Sequence, residues 1–457
     1  MRLYGIQRSF FNFDQDRDAW EMRRIVAEHK PTLIGPDIRR GRLKFFIGPY
    51  HYYFFLPSLV VAKFDPIGPI VFGGFIGALT TIILYFVAKE YFNEQVAIIA
   101  AAVHAGSFYL SEIERMPWNP FHIFYLMLLL LFCASKVIKG KPVFLVLAAV
   151  IFGLLLQAHP TIIFLFPMLV YLSLYVRRKI HLKSLKFIFS AFILLGITFL
   201  PLLLFDLRHG FINLSLMLHS MEKRSSTTLL TEMPGKLVYV LSHMVQEFLN
   251  LFSRGTDFVS LNVFSWLVLV PIIYFIPQVW QKNIQKRNLA VILLMPFIIY
   301  LFAFTFFLGD VAAATREGEL QLYYFLPVLV CYVLILSNFI NRIMHIKGMK
   351  FAVIFCLVVF CARSLLWRWQ YENPYSYENK HKAVRFIIDH SAGKKFSVNF
   401  IDKHAYGYLD GFRYLFSLYG VDEVTNYKFP SYNIQIPADE QSLIKYGNIG
   451  VEIPSAL

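Results

Sequence analysis

Ten apolar runs of 17 to 21 residues recur along this chain, at 68–88, 95–112, 118–137, 142–158, 161–177, 185–205, 260–279, 288–308, 321–341 and 349–367. A helix rises about 1.5 Å per residue, so runs of this length match a hydrocarbon core of about 30 Å. Inside lipid every backbone N–H and C=O must be satisfied within the segment, which makes these runs helices. The composition agrees: 57% hydrophobic against 16% charged residues, with mean hydropathy +0.54. The expected class is therefore an all-α polytopic membrane protein with about ten spanning helices, over residues 1–367. Residues 368–457 return to soluble composition. There 382–390 and 411–419 read as helices, and 395–401 and 432–436 as strands, which predicts a small α/β domain.

The net charge of +15 would suggest nucleic acid in a soluble chain. Here the loops at 136–141, 177–186, 282–287 and 342–350 are all basic, and two spans separate each from the next. They share one side, cytoplasmic by the positive-inside rule, and no nucleic-acid partner is expected. The other side carries 111–119, 157–160, 206–258, 309–320 and the tail. Residues 49–63 are aromatic and interrupted by Pro57, fitting a helix that lies along the outer interface. Residues 1–13 are too short and polar for a cleavable signal peptide. Cys133, Cys331, Cys356 and Cys361 all lie in apolar runs, so neither disulfides nor a cysteine metal site is expected.

One polar stretch stands apart. Residues 12–21 hold Asp14, Asp16, Arg17, Asp18 and Glu21 just ahead of a chain that is mostly hydrocarbon. In a soluble protein this would be a solvated helix start, with Asp14 as N-cap. Here it shares the outer side with Glu112, Glu114, Arg115 and Asn119, with Gln157 and His159, and with Asp206, Arg208 and His209. Ionisable groups at the membrane boundary favour function. Together they describe an outward cavity with an acidic and a basic wall, suited to an anionic lipid head group and a general base.

The run Phe13-Asp14-Gln15-Asp16-Arg17-Asp18-Ala19, the later Gly-Pro-Tyr-x-Tyr-Tyr at 48–53 and Arg-x-Pro-Trp-Asn-Pro at 115–120 carry a resemblance. They resemble the GT-C membrane glycosyltransferases, nearest the dolichyl-phosphate-mannose–protein mannosyltransferases and the lipid A aminoarabinose transferases. The resemblance implies an enzyme that moves a sugar, with inversion, from a polyprenyl-phosphate donor to a protein or glycolipid acceptor outside the cytoplasmic membrane. It implies Asp14 as catalytic base, with Asp16 beside it. It assigns the lipid phosphate to Arg17. The outer-face reading adds Arg208, Arg40 and Arg42 at the phosphate, and Asp18, Arg115, Asn119 and His159 at the acceptor or sugar. No metal or other cofactor is required, although Asp14 and Asp16 could hold a divalent ion. Three departures stand out: the family's lysine before the second interface helix is absent near Gly48, Asn119 replaces an Asp, and the family's first membrane helix has no counterpart ahead of the acidic run. The alternative is a lipid-linked-sugar flippase or transporter. Interrupted spans with mid-membrane charges would favour that, whereas the charges here gather at one face.

Overall fold

A computed structural model describes residues 1–40, 43–180, 185–222, 232–254, 261–307, 320–402, 410–421, 429–438 and 444–454, with backbone alone at 39, 40, 43, 179, 180, 220–222 and 402. Each of the ten apolar runs is helical, but not every one is long enough to cross a membrane. Among the described residues seven helices are: Ile67–Tyr91, Phe121–Ile138, Pro160–Arg178, Val263–Trp280, Ile284–Phe307, Leu322–Met344 and Met349–Gln370. An eighth span results if Leu185–Thr198 and Leu200–Arg208, bent by 52°, count as one. This corrects the expected ten. The run 95–112 is split, because Ser107 leaves the helix Glu94–Gly106 and its hydroxyl caps a second helix, Phe108–Ile113. The run 142–158 forms Val143–Ala158, 16 residues closed by extended backbone at His159.

The bundle is ordered around α6, the sixth helix of the chain (Phe121–Ile138), of which 83% is buried within the protein. It packs against Ile67–Tyr91 (α3), Val143–Ala158 (α7) and Leu326–Met344. The outermost span, Met349–Gln370, is only 6% buried, and its apolar surface is left to lipid.

Ahead of α3 lie two short helices, Phe13–Ala27 (α1) and Tyr50–Val61 (α2). Between them, Asp37–Arg40 (β1) and Leu43–Phe46 (β2) form an antiparallel hairpin with Asp37 opposite Phe46. The basic stretch at 39–44 is thus mostly strand. At 12 residues α2 is too short to cross a membrane, and it buries His51, Tyr52, Phe55 and Leu59 against the bundle.

The tail forms the expected mixed structure. Among the described residues its helices span Tyr377–Ser391 and Phe412–Ser417, and its strands are β3 (Ser397–Asp402), β4 (Ser431–Ile436), β5 (Ile444–Tyr446) and β6 (Ile449–Glu452). Their order is β3-β4-β6-β5, with β3 parallel to β4 and the other pairs antiparallel. The tail shares a core with the front of the chain: Phe11, Ala19 and Ile70 pack among Val384, Ile387, Phe412 and Tyr414.

Candidate active site

The acidic run folds as α1 because its first turn is capped from both sides of the turn. Asn12, not Asp14, occupies the N-cap, and its backbone N–H donates to Gln15 Oε1 at 3.0 Å. Asp14 and Asp16 therefore lie in the first turn, where carboxylates meet the positive end of the helix dipole. A rotation of about 100° per residue then sends the acids to different surroundings.

Arg17 gathers three of the site's carboxylates. Its guanidinium lies 3.2 Å from Asp14 Oδ1, 2.8 Å from Asp18 Oδ1 and 3.3 Å from Asp37 Oδ1. Asp37 comes from β1, so the hairpin completes the cluster, and Lys44 Nζ lies 3.6 Å from its other oxygen. Burial opposes the charge of Arg17, yet Asp18 and Asp14 raise its pKa further. An arginine already facing three carboxylates positions them. Its expected role as the lipid-phosphate ligand sits poorly with that environment.

Behind Arg17 a buried polar chain runs into the bundle. Asp18 Oδ2 is 2.9 Å from His51 Nε2 on α2. His51 Nδ1 is 3.0 Å from His122 Nε2 on α6, His122 Nδ1 is 2.7 Å from the Tyr125 hydroxyl, and that hydroxyl is 2.7 Å from Tyr50. Asp18, expected to touch acceptor or sugar, is instead 1% exposed and belongs to this interior chain.

Asp14 faces the other way. It lines a cleft of about 190 Å³ with Phe13, Arg17, Asn119, His159, Tyr323 and Tyr324. Its side chain remains 41% exposed. Burial raises its carboxyl above the ordinary range, and the attraction of Arg17 partly offsets this. The cleft wall is aromatic: Trp118 and Tyr323 meet edge to face at 4.9 Å, and His159 lies 4.8 Å from the Tyr324 ring. Trp118 Nε1 and Asn119 Oδ1 are buried there without a hydrogen-bond partner among the described residues. His159 Nδ1 accepts from the Thr161 N–H at 3.3 Å, which leaves the imidazole proton on Nε2. A cleft with a half-open carboxylate, an unused donor, an unused acceptor and ring faces can hold a polyhydroxylated ligand and remove its proton.

Of the expected site residues, Asp14, Arg17, Asn119 and His159 meet in this cleft. The others do not. Asp16 turns toward the tail, where the Gly411 N–H donates to it and Asp410, Lys380 and Arg413 are its charged neighbours. Burial, and then Asp410, push its carboxyl up to about 7. Asp14 and Asp16 thus diverge and do not form a pair for a divalent ion, and no metal-holding group of three or more His, Cys, Asp or Glu occurs among the described residues. Arg115 is 1% exposed, pairs with Glu112 at 3.3 Å and donates to the Gly5 carbonyl, while Arg368 meets the same Glu112 at 2.6 Å. It ties down the N-terminal segment. Arg208 is exposed at the end of Leu200–Arg208 and does not line the cleft. Arg42 and the Arg40 side chain lie outside the described residues. The missing family lysine has a steric reason: a Cβ at Gly48 would fall 2.2 Å from Gln157 Oε1.

Residues 49–205 match the model of the dolichyl-phosphate-mannose-protein mannosyltransferase family, a stretch that includes Trp118, Asn119 and His159 but starts after Asp14. The fold matches that of ArnT from Cupriavidus metallidurans bound to undecaprenyl phosphate, with TM-score 0.59, 12% identity, and coverage of 98% of this chain and 95% of that one. The apo state of the same protein matches with TM-score 0.51, 11% identity, and coverage of 97% and 94%. The oligosaccharyltransferase of Archaeoglobus fulgidus, in complex with Zn and sulfate, matches with TM-score 0.50, 12% identity, and coverage of 92% of this chain and 59% of that one. No curated protein matches the chain significantly by sequence. The chain has the GT-C fold of the mannosyltransferase and ArnT type.

Proposed function

We propose that this GT-C membrane protein is a glycosyltransferase that moves a sugar from a polyprenyl-phosphate donor to a hydroxyl of a protein or glycolipid acceptor, on the extracytoplasmic side of the membrane. The observation that carries this reading is that Asp14 opens into an aromatic cleft whose other polar groups come from two distant connections, Trp118 and Asn119 from the turn ahead of α6 and His159 from the extended junction after α7.

In the proposed reaction the acceptor hydroxyl attacks the anomeric carbon from the face opposite the phosphate, so the configuration inverts. Its proton passes to Asp14 as the C–O bond forms, and the bond from the anomeric carbon to the phosphate oxygen breaks. The leaving phosphate carries the released charge and needs no proton, so one carboxylate suffices where glycoside hydrolases use two. Arg17 acts by holding Asp14 in place and favouring its ionised form. Asp18 and Asp37 in turn fix Arg17. Trp118 and His159 supply donors to the sugar, and Tyr323 and Tyr324 supply ring faces.

The test is transfer from a purified polyprenyl-phosphate sugar to acceptor in reconstituted vesicles. Asp14→Asn removes the base while nearly keeping the shape, and should cost about 10²–10⁴-fold in rate with folding intact. Wild-type turnover in that variant would remove Asp14 from the chemistry. Donor crossing the bilayer with no transfer product would favour the transporter instead.

A further inference from the structure

The helix Leu326–Met344 has Tyr323 and Tyr324 of the first cleft at its start, and a second cleft at its end. From Tyr324 to Arg342 is 18 residues by their numbers, which at about 1.5 Å each is roughly 27 Å, close to the depth of a hydrocarbon core. The second cleft, of about 420 Å³, lies among Val263–Trp280, Ile284–Phe307 and this helix, on the face of the basic loops.

Two observations mark it as more than a basic loop region. First, its cations are uncommitted. On the same face Lys136 and Lys139 both pair with Glu90, at 2.8 and 2.9 Å. Arg342 and Lys286, at the second cleft, have no acidic partner among the described residues. Second, Asn341 is only 9% exposed and its Oδ1 is buried with no hydrogen-bond partner among the described residues. An unmet buried acceptor costs about 1–3 kcal/mol, which a ligand donor would recover. His345 donates from Nδ1 to the Asn341 carbonyl at 2.8 Å, which in the neutral ring leaves Nε2 as a further acceptor. The cleft therefore asks for negative oxygens and hydroxyl donors on one molecule. Phe92, Phe275 and Leu289 form its apolar wall, and the Tyr274 ring beside them is 37% exposed.

We propose that this cleft binds an anionic phospholipid whose head group carries free hydroxyls, of the phosphatidylglycerol class. Arg342 and Lys286 take the phosphodiester, and Asn341 accepts from a head-group hydroxyl. Basic pockets between membrane helices are a known way to hold anionic head groups. The unmet acceptor adds the hydroxyl requirement. The site is separate from the proposed catalytic cleft, and its occupancy does not depend on what that cleft does.

Detergent-purified full-length protein would be titrated with dioctanoyl-phosphatidylglycerol, dioctanoyl-phosphatidylcholine, dioctanoyl-phosphatidylmethanol and glycerol 3-phosphate while its melting temperature is followed. The glycerol lipid should raise the melting temperature. It should do so at about tenfold lower concentration than the methanol lipid, the value of one hydrogen bond of about 1.4 kcal/mol. The choline lipid and glycerol 3-phosphate should do nothing. R342Q with K286Q changes only surface side chains, so it should melt normally without lipid and lose the response. An equal response to the choline lipid, or a response kept by the double variant, would overturn the proposal. An equal response to the methanol lipid would remove the hydroxyl, and so the class proposed. Stabilisation by glycerol 3-phosphate alone would make this a soluble-anion site.

Discussion

Asp18 Oδ2 lies 2.9 Å from His51 Nε2, and the two side chains are 2% and 1% exposed. The contact joins α1 to α2 and is held on its other side by Arg17. A buried charge cluster of this kind gives little net stability when complete but is costly to break, at about 3–5 kcal/mol for one lost partner. Asp18→Asn should therefore lower the melting temperature clearly, while Asp14→Asn leaves it near the wild-type value. A normally stable Asp18→Asn protein with weakened acceptor binding would return Asp18 to the substrate site.

The base role of Asp14 has a sign in pH. Only its ionised form accepts a proton, and burial raises its pKa above the usual carboxylate value while Arg17 pulls it back. Transfer should fall as pH drops, and the acid limb should lie at higher pH than that of an ordinary carboxylate near 4. A kcat/KM profile flat down to pH 4 would contradict this.

Asp16 should act on stability rather than turnover. Its folded pKa of about 7 exceeds its ordinary value of 3.8. The folded state then binds the proton more tightly than the unfolded chain. The resulting stability is present below about pH 4 and is lost as pH rises toward 7. Asp16→Asn keeps the neutral form at every pH. It should raise the melting temperature at pH 8 more than at pH 5, and leave kcat within about twofold because the side chain is not in the cleft.

Trp118→Phe keeps the ring and removes the unpartnered Nε1 donor. If that donor meets the sugar, KM for donor or acceptor should rise by about tenfold, the value of one neutral hydrogen bond, with the fold unchanged. Unchanged kinetics would leave Trp118 as a packing residue against Tyr323.

Arg208 is exposed and stands outside the cleft. Arg208→Lys and Arg208→Gln should both keep donor affinity within about twofold, as surface substitutions usually do. A marked loss in both variants, lysine included, would restore a planar phosphate grip.

What could be read from the residues followed their periodicity. The ten apolar runs, the tail's α/β character and the cleft members Asp14, Arg17, Asn119 and His159 were legible because length, alternation and helix-end position are local properties. The split at Ser107 was also local, since a serine ahead of a short second helix is a capping signal. His51, His122 and Tyr125 were not legible, because each looks like one polar residue in an aromatic run. Only the packing of α2 on α6 puts His51 3.0 Å from His122 and Tyr50 2.7 Å from Tyr125. Asp37 was hidden in the same way, since the start of β1 meets Arg17 across 20 residues. Asp16 misled because it shares a helix turn with Asp14 while pointing to a partner near residue 411.

Lys380 gives the proposed site an order of assembly. Its ammonium donates to the Phe11 carbonyl at 2.7 Å and to the Asp410 carbonyl at 2.6 Å, gripping the residue ahead of α1's N-cap from the far end of the chain. A ribosome must add more than 360 residues after position 14 before that grip exists. The carboxylate at position 14 therefore waits on residues made long after it before the turn that carries it is held in place. Premature termination anywhere in the bundle would leave the first turn of α1 without this anchor.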